Sequence, residues 1–404
     1  MAPDSRSTRL IVLTAYRLYT PQKEIIDPLV FVEDGIVTGV ASRDEREVPN
    51  HATILDFASE HPGAILAPGF LDIHIHGGMG VDVMQGSPRE LPAFQRFLAA
   101  HGVTAYFPTT VAAPLEATCA ALERMANAID GLEKSSTGNE PVQARPLGIH
   151  LEGPFLSHKR RGVHPPENLQ EPSIQIFDRL WQAARGHIRM MTIAPELPGA
   201  LPLIAEAARR NVLVSLGHSD ADSATSRSAV GSGARHATHT FNAMRPLDHR
   251  EPGIAGEALT NPNLTADVIA DGIHVAPEIV KLFLLAKGYE RAILITDATA
   301  ATGMPDGAYQ LGPIRVEVRD GRCTLACEPG KLAGSVLTMD RAVRNATQFS
   351  QWRLQDAVRA ATLNPARAAG LAHHGEIATG AEANLVLLNS RGEILKTVVG
   401  GRGT

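Results

Sequence analysis

From Leu71 onward, short apolar segments alternate with helical ones, and this alternation restricts the architectures open to the chain. Eight segments read as strands: Leu71–His76, Val103–Phe107, Leu147–Glu152, Ile188–Ile193, Val212–Gly217, His236–His239, Asp267–Ala270 and Ala292–Asp297. Amphipathic stretches of helical period separate several of them: Arg89–Ala100, Leu115–Ile129, Ile174–Ala184, Ala200–Arg210 and Pro277–Lys287. Pro88 and Gly102 bracket the first helix, as start and stop residues should. Strand–helix alternation with eight strands predicts an α/β fold, a (β/α)8 TIM barrel.

The chain ends read differently. Leu10–Leu13 and Leu29–Val32 are short strands, and Asp34-Gly35 is a hairpin signal before Ile36–Val40. A second such signal, Asp320-Gly321, separates Val316–Val318 from Cys323–Leu325 after the eighth strand. Helices are predicted near Thr338–Phe349 and Leu354–Ala361, and strands return at Asn384–Leu388 and Ile394–Val399. The expected organisation is a barrel over residues 61–365 and a small β-sandwich domain built jointly from residues 1–60 and 366–404.

Composition removes several function classes. Lys and Arg number 38 against 43 Asp and Glu, a net charge of -5. No basic excess exists to neutralise a phosphate backbone or to favour an anionic membrane, so neither nucleic acid nor membrane is an expected partner. No apolar run approaches the roughly 18 residues of a membrane span. Leu10–Leu13 is too short for the core of a signal peptide. Cys119, Cys323 and Cys327 form neither a disulfide framework nor a convincing zinc pair. A cytoplasmic location is the resulting expectation.

The strand ends carry the chemistry. Residues two apart on a strand share a face, so His74 and His76 point the same way, with Gly77-Gly78 just beyond. By spacing alone this is either a metal-ligand pair or a polar strand end with incidental histidines. Glu152, His218, His239 and Asp297 close four further strands. In a barrel the C-terminal strand ends face one mouth, where all six side chains would converge. Buried carboxylates and imidazoles without partners are costly, and a divalent metal is the simplest shared partner. Histidine and carboxylate donors suit zinc, iron, manganese or cobalt. His150 reads as a residue behind the ligands at most. His51, His61, His101, His187, His249, His373 and His374 read as surface residues, and Lys159-Arg160-Arg161 as a solvated basic loop. On residue types alone, Arg250 is a solvated loop charge beside Asp248 and Glu251. Residues 300–307 are small and read equally as a mobile lid or an ordinary surface loop.

The motifs PGFLDIHIHGG, HLEGPF with GVHPP, GHSDA, THTFNAM, REPG, DGIH and LITDA occur in that order between Pro68 and Asp297. Asn364–Gly370 and the segment Gly375 to Val386 extend the pattern. Together they resemble the N-acetylglucosamine-6-phosphate deacetylase family of the amidohydrolase superfamily. The resemblance implies hydrolysis of the acetamide of a phosphorylated amino sugar, in amino-sugar catabolism, with one or two divalent metals per subunit. It implies Glu152, His218 and His239 as metal ligands. His74 and His76 match the pair found in members that hold a second metal; some members have Gln and Asn there and use one. Asp297 matches the catalytic aspartate, and His164 the histidine that helps polarise the amide carbonyl. Val163, Asn242, Ala243 and His274 match substrate contacts, as does the segment Leu332, Ala333, Gly334. Arg250 matches an arginine that reaches the substrate phosphate from a neighbouring subunit, which implies a homodimer. The competing expectations are a deacetylase for N-acetylgalactosamine 6-phosphate, another cyclic-amide hydrolase of the superfamily, and a non-catalytic scaffold. Glu152 and THTFNAM argue against the cyclic-amide reading, and the complete ligand set against the scaffold.

Overall fold

The computed structural model describes residues 10–20, 23–132 and 141–403. Eight parallel strands run through its centre: β1 (Phe70–Ile75), β2 (Val103–Pro108), β3 (Ile149–Glu152), β4 (Ile188–Ile193), β5 (Leu213–Leu216), β6 (His236–Ala237), β7 (Thr265–Ile269) and β8 (Ala292–Ile295). β3 to β8 pair in sequence order as a six-stranded parallel half-barrel. β1 and β2 pair in a second parallel sheet with Arg145–Pro146. Single parallel bridges, Thr109 to His150 and Ile75 to Ala298, join the edges of the two sheets at their C-terminal ends. All eight strand segments match those expected, within a few residues.

The strands read as continuous apolar runs because both faces are covered. One core cluster unites Ile149, Leu151, Met190, Val214 and Ile293 from the strands with Phe177, Leu180, Leu203, Ile204, Val280 and Phe283 from the helices. The five helices expected between the strands form, at Leu91–Ala100, Leu115–Leu132, Ile174–Ala183, Ala200–Arg209 and Pro277–Lys287, and the two expected after β8 form at Met339–Phe349 and Leu354–Ala360. Two more, Ser223–Ser232 and Gly253–Thr260, escaped the periodicity argument. The first is Ser-rich, so it lacks an apolar stripe. The second is buried along nearly its whole length, so it lacks a polar face.

A second core forms between the chain ends. Leu13, Leu18, Val30 and Phe57 from the start pack with Ala383, Leu385, Leu387 and Val398 from the finish. Ile65–Pro68 is the joint: it pairs with Arg17–Tyr19 on one side and with Leu385–Leu388 on the other. Both hairpin signals act as expected. Asp34 and Gly35 have φ of 49° and 80°, and Asp320 and Gly321 have 52° and 73°. Two successive positive φ values are what a two-residue hairpin of matched twist needs. The second hairpin belongs to a four-stranded antiparallel sheet spanning Gly307–Leu332.

Of the histidines read as surface residues, His101, His187 and His374 are only partly exposed, the first two through carboxylate partners. His101 lies 3.0 Å from Asp340, and His187 lies 2.7 Å from Asp130. A carboxylate partner half-buries each imidazole, which position in the sequence does not reveal. The segment Ala300, Ala301, Thr302 is buried, so the residues 300–307 stretch is anchored at its start and exposed from Gly303 to Asp306.

Candidate active site

The polar strand ends converge as the barrel reading requires. His74 and His76 come from β1, Glu152 from β3, His218 from just past β5, His239 from just past β6 and Asp297 from just past β8. Glu152 is at the centre. Its Oε1 lies 3.3 Å from His218 Nε2 and 3.1 Å from His239 Nε2. Its Oε2 lies 3.4 Å from His74 Nε2 and 3.5 Å from His76 Nε2. Asp297 Oδ1 closes the second side, 3.0 Å from His76 Nε2 and 3.5 Å from His74 Nε2. One carboxylate therefore faces two trios of donors, Glu152/His218/His239 and His74/His76/Asp297, all buried.

Contacts behind the rings set which nitrogen faces inward. His76 Nδ1 donates to the Thr109 carbonyl at 3.1 Å, and His218 Nδ1 to the Arg160 carbonyl at 3.0 Å. Each ring then turns an Nε2 lone pair toward Glu152, the tautomer that metal ligation uses. His74 Nδ1 lies 3.1 Å from Thr238 Oγ1. Its Nε2 is buried with no hydrogen-bond partner. His239 Nε2 and His218 Nε2 lie 3.1 Å apart. Inward lone pairs at that spacing, an orphaned buried imidazole nitrogen and two carboxylates form a donor set that fits a divalent cation.

Both carboxylates are held ionised, as cation ligands must be. Burial alone would push the Glu152 carboxyl up, but His74 and the imidazoles of His164, His218 and His239 outweigh it and hold it well below the usual range. Burial likewise opposes charge on Asp297, and His76 and His74 bring it down to about 2. Burial pushes His218 down to about 4, while Glu152 overcomes burial at His239 and raises it to about 9. Backbone strain concentrates here too. His218, His239, Phe241, Ala243 and Asp297 all have positive φ, between 29° and 79°. Such conformations cost about 1–3 kcal/mol each and persist where the surroundings impose them.

The cavity above the cluster is lined by His76, Glu152, His164, His218, His239 and Asp297 on the metal side. Val163, Asn242, Ala243, His274, Leu332 and Gly334 also reach it. His164 accepts the Ala112 N–H at Nδ1, 3.0 Å away, so its ring proton sits on Nε2. That nitrogen is 3.6 Å from Glu152 Oε2 and is a hydrogen-bond donor aimed at the site. Gly334, at φ 62°, carries no Cβ where one would lie 2.5 Å from Thr299 Cγ2.

Two expectations need correction. Ala333 does not reach the cavity: it is fully buried and gives its N–H to the Cys323 carbonyl, because neighbouring residues of an extended segment face opposite ways. Arg250, expected to serve a neighbouring subunit rather than its own, is exposed on its loop and is not among the residues lining its own chain's cavity. The basic loop is not merely solvated. Asp220 accepts from Arg160 Nε at 2.7 Å and from Lys159 Nζ at 2.5 Å, and Arg161 donates to the His164 carbonyl. These bonds pin residues 157–164 over the end of β5. The groups that sequence reasoning missed are those behind the site: Thr109, Thr238, the Ala112 amide, and Asp267, which bonds both His236 and the His239 amide. Val111, Gly162 and Leu311 also line the cavity without having been singled out.

A model of the amidohydrolase family matches residues 65–403. The chain is 37% identical to N-acetylglucosamine-6-phosphate deacetylase of Bacillus subtilis (strain 168), over 95% of this chain and 94% of that one. The chain belongs to the N-acetylglucosamine-6-phosphate deacetylase family of amidohydrolases. This amidohydrolase is also 37% identical to N-acetylgalactosamine-6-phosphate deacetylase of Escherichia coli O157:H7, over 94% and 95% of the two chains. Among solved structures it resembles a mutant N-acetyl-D-glucosamine-6-phosphate deacetylase from Mycobacterium smegmatis in complex with N-acetyl-D-glucosamine-6-phosphate. That match has a TM-score of 0.87 at 35% identity and covers 98% of this amidohydrolase and 99% of the other chain. No helix of the described residues is long and apolar enough to cross a membrane.

Proposed function

We propose that this amidohydrolase hydrolyses the acetamide of N-acetyl-D-glucosamine 6-phosphate, releasing D-glucosamine 6-phosphate and acetate. The observation that carries the reading is that Asp297, His164 and Glu152 line one cavity, Asp297 against His76 and His164 beside Glu152, in a chain that matches such deacetylases along nearly its whole length. The scaffold supporting it is read as a (β/α)8 barrel with a β-sandwich from the two chain ends. The barrel is read over residues 61–365 and the small domain over 1–60 and 366–404, and the pairing of Ile65–Pro68 with strands of both ends supports counting that strand with the small domain. Residues 1–9 of the N-terminal part lie outside the described residues.

An amide is a poor electrophile and water a poor nucleophile. Glu152, His218 and His239 would hold one divalent cation, and His74 and His76, with Asp297 beside them, a second. A bound divalent cation acidifies water toward neutral pH and polarises carbonyls. The chain's own groups supply the rest. Asp297, ionised across the physiological range, accepts the proton of the attacking water at its carboxylate and delivers it to the departing amine. His164 donates its Nε2–H to the amide oxygen as negative charge develops there. Asn242, Ala243 and His274 hold the sugar phosphate, and Val163, Leu332 and Gly334 bound the sugar. Arg250 serves the partner subunit's phosphate in a homodimer, which accounts for its exposure in a single chain.

The equal identity to an N-acetylgalactosamine-6-phosphate deacetylase gives a second reading, differing in one hydroxyl orientation at C4. Steady-state assays on both N-acetylhexosamine 6-phosphates decide between them. Preferred turnover of the glucosamine compound is the expected result, and preferred turnover of the galactosamine compound would select the alternative. No acetate release from either would reject both.

A further inference from the structure

The loop after β7 carries an acidic residue that the mechanism above does not use. Asp271 Oδ1 accepts the amides of Ile273 and His274, each at 2.8 Å, and Asp271 Oδ2 lies 2.7 Å from His274 Nδ1. The side chains are 3% and 7% exposed, so the pair is shielded from water. Gly272 has φ 76°, and a Cβ there would lie 3.2 Å from Phe349 Cζ, so the turn that aims the carboxylate suits only glycine. Burial pushes the Asp271 carboxyl up, but the His274 imidazole and the two amides outweigh it and hold it below its usual range. The carboxylate is therefore present as an ion, and His274 Nδ1 donates to it. That leaves Nε2 as the polar atom of this ring available to the cavity, which His274 lines; an anionic group there is met by the imidazolium form, whose Nε2–H donates and whose charge the Asp271 carboxylate balances.

A ring tethered at one nitrogen presents the other without further loss of rotamer freedom. Among the described residues no hydrogen bond or ion pair joins His274 to Glu152, Asp297 or their histidines, so this ring is assigned to a part of the substrate away from the amide. We infer that Asp271 is a positioning residue for phosphate recognition: it acts through His274, and its loss is felt in binding of the phosphorylated substrate rather than in the chemical step. The inference rests on the phosphate-sugar reading above and adds a residue to it.

The test is a comparison of wild type with Asp271→Asn and Asp271→Ala, using N-acetylglucosamine with and without the 6-phosphate. A hydrogen bond to a charged group contributes about 1.5–3 kcal/mol, which corresponds to about a 10- to 100-fold effect. KM for the phosphorylated sugar should rise by about that factor in Asp271→Ala, with kcat within about twofold. The preference for the phosphorylated sugar, as a ratio of kcat/KM values, should shrink in proportion, and inorganic phosphate should weaken as a competitive inhibitor. Asp271→Asn keeps the acceptor for the two amides and should show a smaller rise. A wild type without preference for the phosphorylated sugar would overturn the substrate reading itself. A wild type with that preference, retained unchanged by both variants, would overturn the role of Asp271 alone. Equal losses on both sugars, or a fall in kcat at constant KM, would also overturn it, since a merely structural role predicts those. Thermal unfolding of each variant establishes that the comparison is made on folded protein.

Discussion

At the scale of single residues, Glu152 and Asp297 are both buried carboxylates held ionised by histidines, yet their surroundings separate their roles. Glu152 turns one oxygen to each donor trio, so its loss strikes both. Glu152→Gln should remove most bound metal together with activity, read by elemental analysis and acetate release. A variant that kept full metal and normal turnover would sink the assignment. Asp297 touches only the His74 and His76 side. Asp297→Asn should therefore retain metal at Glu152, His218 and His239 while kcat falls by about 10²–10⁴, the usual range for lost acid–base catalysis. Near-normal turnover at saturating substrate would exclude Asp297 as the proton carrier. His164 differs from both. A backbone amide fixes its tautomer, so it donates from Nε2 and takes no part as a base.

Elements position these residues, and some of them carry unusual side chains to do so. Helix Pro277–Lys287 ends in Lys287, which is 1% exposed and donates to the Ala258 and Asn261 carbonyls at the end of helix Gly253–Thr260. Burial, reinforced by Arg291, lowers this ammonium from 10.5 to about 8. Between those two values the unfolded chain holds the proton and the folded chain has released it. Stability contributed by this group therefore rises with pH across that window. Urea midpoints of wild type and Lys287→Met should diverge in favour of wild type from pH 8 to pH 10. Parallel curves would show that the buried ammonium is not destabilising. Elsewhere, Asp220 ties the segment before His164 to the end of β5, so a loop of basic residues holds the cavity wall that includes His164.

On the scale of the whole molecule, the decisive question is whether one chain makes a complete site. Arg250 lies on an exposed loop away from its own cavity. Mixing an Arg250→Ala chain with an Asp297→Asn chain should restore activity, because one of the two sites in the mixed dimer then holds both native groups. Failure to recover despite demonstrated subunit exchange would place the contact within a single chain. The division of the molecule also explains where function sits. The small β unit draws its core from both chain ends and, among the described residues, contributes none to the cavity lining, whereas the sheet spanning Gly307–Leu332 contributes Leu311 and Leu332.

The sequence by itself determined the strand register that matters, because a period of two and a burial pattern are local properties. His74 and His76 share a face in any strand that contains them, and the Asp34-Gly35 and Asp320-Gly321 turns need no distant partner. The helix Gly253–Thr260 was illegible because burial on all sides removes the periodic signal. What only the tertiary structure decided is the set of contacts between residues far apart in the chain. His74 meets Thr238 across 164 positions, and His76 meets Thr109 across 33. No spacing rule connects such pairs. The same holds for the division of Glu152 between two donor trios and for the tie of Asp267 to both His236 and the His239 amide. Each is set by where a side chain points once strands and helices have packed, and packing is a property of the whole chain rather than of any window within it.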